Sequence, residues 1–235
     1  MDFFDLVNKR RSIRKFTDEE VPEEVIEKSL KAALLAANSS NLQPWEFYWI
    51  KDKNKKEELI KACFSQNAAK TAKELIVAVS RIDTWKRNRD LVINYYKSTD
   101  KLLPVVEKYY KTLVPLQYYY DSFGISSIIR KIILFFFSII GFFKPIARGP
   151  SSKHELFEIV TKTTALACQN IMMSLVAQGY DSCPMEGFDK SRVKKILNLN
   201  NKSHIVMVLG IGKRDPKGIY GDRFRIDEDL VIKKI

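Results

Sequence analysis

Seven residues near the start of the chain, Arg10-Arg11-Ser12-Ile13-Arg14-Lys15-Phe16, carry four cations and a hydroxyl. Brought together, such side chains can grip a phosphate through several charge-assisted hydrogen bonds at once. Three later stretches also group polar or turn-forming residues tightly: Asn38-Ser39-Ser40-Asn41-Leu42-Gln43-Pro44-Trp45, Pro184-Met185-Glu186-Gly187-Phe188, and Arg223-Phe224-Arg225. Each has a plainer reading when taken singly. A basic run is commonly a solvated face, Asn-Ser-Ser-Asn is a helix stop and turn, and Phe188 would be a core residue beside a loop. No side chain stands out as a nucleophile or general acid. His154 and His204 have no neighbouring Asp or Ser pattern and are expected at the surface or at a cap. Cys63, Cys168 and Cys183 lie far apart without ligand spacing, so no metal site is expected. Cys183, next to Pro184, is expected to be a buried inert thiol.

The elements that must position these groups are legible from periodicity. Residues 2–10 read as a short amphipathic helix with Phe3, Leu6 and Val7 on one side, and the chain then turns extended through Ile13 and Phe16. Pro22 suits the first position of a helix, with Glu23 and Glu24 complementing the dipole. Val25, Ile26, Leu30, Ala33, Leu34 and Ala37 recur at helical spacing behind them. Residues 45–50 are aromatic and β-branched, hence a strand. A Lys/Glu-rich helix follows to about Phe64, and residues 75–79 form a strand apolar enough for burial on both faces. From 85 to 120 the pattern is helical but broken by Pro104 and Pro115. Ser151 or Ser152 caps a long helix with Leu156, Ile159, Val160, Thr163, Ala167 and Ile171 on its apolar face, stopped at Gly179. A short extended piece leads to Cys183-Pro184, residues 188–197 look helical, and 204–211 form a buried strand. Strands flanked by long helices point to the α+β class. No Gly-x-Gly-x-x-Gly follows a strand, so a doubly wound nucleotide fold is unsupported.

Composition bounds the rest. A chain of 235 residues with 46% apolar and 11% aromatic residues can bury one sizeable core and is not a disordered chain. The 40 Lys plus Arg against 28 Asp plus Glu leave a net charge of +12, a sign that suits nucleic acid, anionic lipid or a phosphorylated cofactor. Much of the excess is Lys on helix-like segments such as 51–61 and 190–195, and zinc-finger spacing and RNA-binding aromatics are lacking, so no nucleic-acid partner is expected. Three scattered cysteines suit a reduced cytoplasmic protein, and the acidic opening residues do not read as a secretory signal.

Together, and in this order, the four polar segments resemble the nitroreductase family of FMN-dependent oxidoreductases, spanning residues 10–225. The resemblance implies a central mixed β-sheet flanked by helices in a homodimer, with one FMN-binding domain over residues 1–235. FMN needs cations at its phosphate, positive charge near N1, and a donor at N5 with an open face. By the resemblance, Arg10, Arg11 and Ser12 would face the phosphate and ribityl chain, and Arg14 the N1 and C2 carbonyl region. Arg223 or Arg225 would be a second phosphate anchor. Pro184, Met185, Glu186 and Gly187 would lie against the isoalloxazine, the Glu186 N–H at N5. Ser39, Ser40 and Asn41 would come from the other subunit. Gln66 or Asn67 would read the pyrimidine, and Lys70 or Lys73 could match a downstream lysine. The implied activity is hydride transfer from NADH or NADPH to nitroaromatic, quinone or similar small-molecule acceptors, with ping-pong kinetics. Dehalogenation, flavin destruction, and a non-enzymatic membrane-associated role stay open as alternatives.

One stretch departs from the commoner family pattern. Within a hydrophobic helical insertion at about 100–150, residues 125–147 hold an apolar core from Ile132 to Phe143 that is too short for the ~20 residues of a bilayer span. Either it covers the dimer or the substrate pocket, or it attaches to a membrane interface with Arg130, Lys131, Lys144 and Arg148 at anionic headgroups.

Overall fold

Capping and packing account for the order of elements in the computed structural model, which describes residues 2–120, 125–146 and 149–235. Asp2 and Asp5 close a reciprocal capping box on α1 (Phe3–Lys9). The chain then runs extended through the basic cluster. It continues through α2 (Glu23–Leu34), a 3-10 turn at Ser39–Asn41, and β1 (Trp45–Trp49). Pro22 stands at the N-cap of α2 rather than inside it. Next come α3 (Lys53–Ala62), α4 (Asn67–Lys70), β2 (Glu74–Arg81) and α5 (Trp85–Ser98). Pro104 opens α6 (Pro104–Lys108). Pro115, expected as a break, instead lies in the first turn of α7 (Val114–Tyr118), after a π turn at Tyr109–Leu113. A first-turn proline forfeits no hydrogen bond the helix needs, so the helical path continues. Beyond α8 (Ile125–Ile140), Ser152 caps α9 (Lys153–Ala177), its hydroxyl accepting from Glu155 N–H at 3.2 Å. Gly179, at φ +81°, follows the end of α9. The remaining elements are β3 (Asp181–Met185), α10 (Lys190–Ile196), β4 (Ser203–Gly212) and α11 (Glu228–Val231).

The four strands lie in the order β1-β2-β4-β3, each pair antiparallel. Among the described residues the parallel component of the sheet is a single bridge from Ser12 to Ser182. A register shift between Ala78 and Val79 pairs them with Met207 and Ile205, so Val206 is the extra residue of a bulge. Two consecutive residues, Val206 and Met207, therefore share one face, and the alternation of β4 inverts there. On that face the sheet packs against Val25, Ile26 and Ala33 of α2 and Ala167, Ile171 and Leu175 of α9. On the other, Leu75, Val77, Val79, Ile205 and Val208 meet α3, α4, α10 and the extended Ile13–Phe16 segment. A third cluster joins Leu42, Trp85, Tyr110 and Val114 to the first turns of α9 at Leu156 and Val160.

His204 sits half-buried at the start of β4, its ring 5.8 Å from that of Phe157. Burial first, then Lys190 and Lys194, hold its pKa below the ordinary histidine value. The folded ring stays neutral where the unfolded chain begins to take up a proton, near ~6.5. The stability present above that pH is lost as pH falls through the folded value. Urea midpoints should therefore decline below roughly pH 6.5, and His204→Gln should flatten that decline; parallel profiles would exclude His204 as the source. His154 is exposed in the first turn of α9.

The apolar side of α1 is uncovered, with Phe3 and Phe4 exposed. Much of α8 is uncovered too. Leu134 and Phe137 close an apolar cavity of about 290 Å³ against Tyr109, Leu113 and Pro150. No helix among the described residues is long and apolar enough to cross a membrane.

Candidate active site

Two chain ends meet to build the polar site. Arg10, Arg11, Ser12 and Arg14 line one side of a cavity of about 350 Å³, and Tyr220 to Arg225 line the other. The extended segment is held by main-chain bonds. Ile13 N–H donates to Ser182 O at 3.1 Å and Arg14 N–H to Gly218 O at 2.9 Å. Gly218 permits this approach, because a Cβ there would stand 2.4 Å from Lys15 O. Arg223 fixes the corner by donating to the carbonyls of Asn8 at 2.6 Å and Arg10 at 2.7 Å. The first of these satisfies the C-terminal end of α1 with a cation, as the helix dipole favours. Arg11 donates to Gly221 O at 2.7 Å, and the Arg14 guanidinium lies 5.2 Å from the Tyr220 ring centre.

Five arginines and one carboxylate, Asp222, are the charged groups that line this cavity. Among the described residues, none of Arg10, Arg11, Arg14, Arg223 and Arg225 forms an ion pair with a carboxylate. Burial, and then Arg223, Arg225 and Arg11, lower the pKa of Arg10. Like charges held together in this way are relieved by an anion between them. Arg10 spends one donor on the Ser12 hydroxyl, at 3.5 Å, and Arg225 one on Phe224 O, at 2.7 Å. Most of their donors remain for a ligand.

β3 leads from this cavity toward the second polar segment. Pro184 and Met185 belong to that strand rather than to a loop, at the sheet edge where a missing N–H is tolerated. Glu186 and Gly187 form the exposed turn beyond it, and Phe188 is buried. Gln66 reaches across to this turn, its Nε2 donating to Gly187 O at 3.0 Å and to Cys63 O at 3.1 Å. Asn67 is exposed at the start of α4. Gln66→Ala removes the tie and should cost about 1 kcal/mol of stability. An unchanged urea midpoint would show that the turn is held by other means. Cys183 is buried, and burial pushes its thiol pKa up against the pull of Arg14 and Arg10.

Ser39, Ser40 and Asn41 are not part of the arginine cavity. Ser40 Oγ lies 2.6 Å from the Tyr109 hydroxyl, and Tyr110 donates to Ser40 O at 3.0 Å, which locks the segment to the π turn. Asn41 lines a separate open groove of about 800 Å³ between α2 and α5, over β1. Lys73 pairs with Glu20 and Asp18, and Lys70 is exposed. Sequence reasoning missed Tyr220, Gly221, Asp222 and the Gly218 contact. Only the adjoining Arg223-Phe224-Arg225 run signalled that region.

An antiparallel sheet between two helical layers, with an arginine-lined cavity beside an edge strand, places the chain in the α+β class. The model of the Nitroreductase family matches residues 7–213, and the chain belongs to that family. It is 25% identical to protein DrgA of Synechocystis over 218 residues, covering 91% of this chain and 85% of that one. To the oxygen-insensitive NADPH nitroreductase of Helicobacter pylori it is 26% identical over 212 residues, covering 89% and 86%. Its fold matches a protein from Exiguobacterium sibiricum solved in complex with FMN, at TM-score 0.71 and 23% identity, covering 100% and 98%.

Proposed function

We propose that the chain is an FMN-dependent oxidoreductase that takes hydride from NADH or NADPH and passes it to nitroaromatics, quinones or similar small acceptors. It acts as a homodimer in the cytoplasm, with residues 1–235 forming a single FMN-binding domain. The observation that carries this reading is the group of five arginines, unpaired with any carboxylate among the described residues, around one cavity. Such a site fits a dianionic phosphate, and the family and its NADPH-named and FMN-bound members supply the context.

Bound FMN would supply a ring that accepts hydride at N5 and releases it to an acceptor. Arg10, Arg225 and Ser12 would hold the phosphate and ribityl chain. Arg11 and Arg223, whose guanidinium groups already bond the main chain, would set the cavity walls and add charge. Arg14 would place positive charge near N1 and the C2 carbonyl. Four residues of β-strand rise, about 13 Å, separate Ser182 beside the cavity from Glu186, whose N–H would face N5. Gln66 holds that turn and would read the pyrimidine edge, with Asn67 beside it. Ser39, Ser40 and Asn41 lie outside the cavity, which favours a second copy as their route to the flavin.

The test is the absorbance spectrum of the purified protein before and after added FMN, then its bleaching by NADH or NADPH and an acceptor screen. A flavin spectrum bleached by either donor is expected, with parallel lines in double-reciprocal plots. A colourless protein that takes up no FMN would overturn the reading, and intersecting lines would overturn the shared pocket.

A further inference from the structure

Counted at about 100° per residue, the side chains of α8 divide into three arcs. Arg130, Leu134 and Phe137, with Gly141 just past the helix, fill about 60° and are partly covered by the rest of the protein. Lys131 and Ser138 form a narrow polar strip beside them. The remaining arc of about 160° runs from Phe135 through Ile128, Ile132 and Phe136 to Ile133, and every large apolar side chain described on it is exposed. Phe142 and Phe143, 86% and 88% exposed, carry the apolar surface past the helix end to Lys144. A stripe this wide on a surface helix ordinarily faces a core. Here it faces outward, and so large an apolar patch marks an interaction surface.

Charge identifies the partner. Between Asp121 and Glu155 the chain carries five cations and no carboxylate. Lys131 flanks the exposed arc and Lys144 closes it. Arg130 turns inward instead, donating to Tyr119 O at 2.8 Å and stacking 4.5 Å from the Tyr120 ring centre, so it seats the helix on the protein. Arg148 lies outside the described residues. A second copy of this face would set like charges against like, with no acidic group in the patch to pair them. A surface that is apolar below and anionic above satisfies both features. The 16 residues of α8, about 24 Å long, are too short to cross a bilayer but suit a helix lying in its interface.

We propose that α8 and the adjoining Phe142–Lys144 turn dock the protein peripherally on an anionic lipid surface, with Ile128, Ile132, Phe136 and Ile139 entering the acyl boundary and Lys131 and Lys144 meeting headgroups. Quinones partition into the same boundary, so docking would bring that acceptor class within reach, but the docking does not depend on flavin binding.

The test is flotation of the full-length protein with phosphatidylcholine vesicles and with phosphatidylcholine–phosphatidylglycerol vesicles, across a salt series. Partitioning onto the anionic vesicles should exceed that onto the neutral ones by about tenfold or more and weaken with salt. Phe136→Asp with Ile139→Asp should abolish flotation, and Lys131→Glu with Lys144→Glu should reduce it to the neutral-vesicle level. Both pairs are exposed, so thermal unfolding should match the parent chain. No flotation of the parent chain with anionic vesicles overturns the proposal, as does equal, salt-independent flotation with both kinds. Loss of self-association in the Phe136/Ile139 variant without any vesicle binding would assign the face to a second copy instead. Should a variant fail to fold, the lipid and salt dependence of the parent chain decides alone.

Discussion

Reversing charge at Arg10 and Arg225 together, as Arg10→Glu with Arg225→Glu, is expected to abolish FMN retention while leaving the protein folded. The two residues stand on opposite sides of the cavity, and each keeps most of its donors for a ligand. A charge-assisted hydrogen bond contributes about 1.5–3 kcal/mol, so losing one at each position weakens binding by roughly 10²- to 10⁴-fold. Two new negative charges facing a dianion add to that. The fold should not suffer. Arg10 is held against Arg223, Arg225 and Arg11, and removing its positive charge relieves that repulsion. Unfolding temperature should stay level or rise slightly, while FMN affinity, followed by quenching of flavin fluorescence, collapses. In the parent chain the affinity should also fall with ionic strength, since part of the cavity is open to solvent. Retention of flavin near the parent affinity would show that the phosphate lies elsewhere.

Asp181→Ala is expected to be the most destabilising single change near the site. The Asp181 side chain is only 6% exposed and accepts from Arg214 Nε at 2.9 Å and Nη2 at 2.5 Å. That guanidinium also donates to Lys9 O at 3.2 Å, so one ion pair ties the start of β3 to the end of α1, where the basic cluster begins. The carboxylate holds the Arg214 pKa above its usual value. Breaking a fully buried pair costs about 3–5 kcal/mol, and the partial exposure of Arg214 reduces this to about 2–3 kcal/mol. For a chain of this size that is a fall of roughly 5–10 °C in Tm. The double variant Asp181→Ala with Arg214→Met should be less damaged than Asp181→Ala alone, because it leaves no stranded charge. Additive losses would mean the pair does not act as a unit.

Much of the layered architecture was legible in local patterns. The apolar stripe of α2, the Ser152 cap and Gly179 stop of α9, and the apolar run of β2 each act within a few residues, where propensity and capping dominate. Boundaries blurred where context intervened. Pro115 read as a breaker, yet the π turn before it admitted the proline into a helical start. Pro184 read as a loop residue, yet at an edge it could join β3.

The sequence by itself determined that this chain would hold an excess of arginine near each end, an apolar run over residues 132–143, and the makings of an α+β core. Only the tertiary structure decided that Arg223 reaches back to Arg10 across more than 200 residues, and that Gln66 meets Gly187. It also decided that Ser39, Ser40 and Asn41 stay apart from the arginine cavity, and that the widest apolar face of α8 turns outward. The reason is physical. Periodicity and capping are energies of neighbours along the chain, whereas sheet register, the bulge at Val206 and the close approach at Gly218 are settled by packing between segments that the sequence does not place side by side.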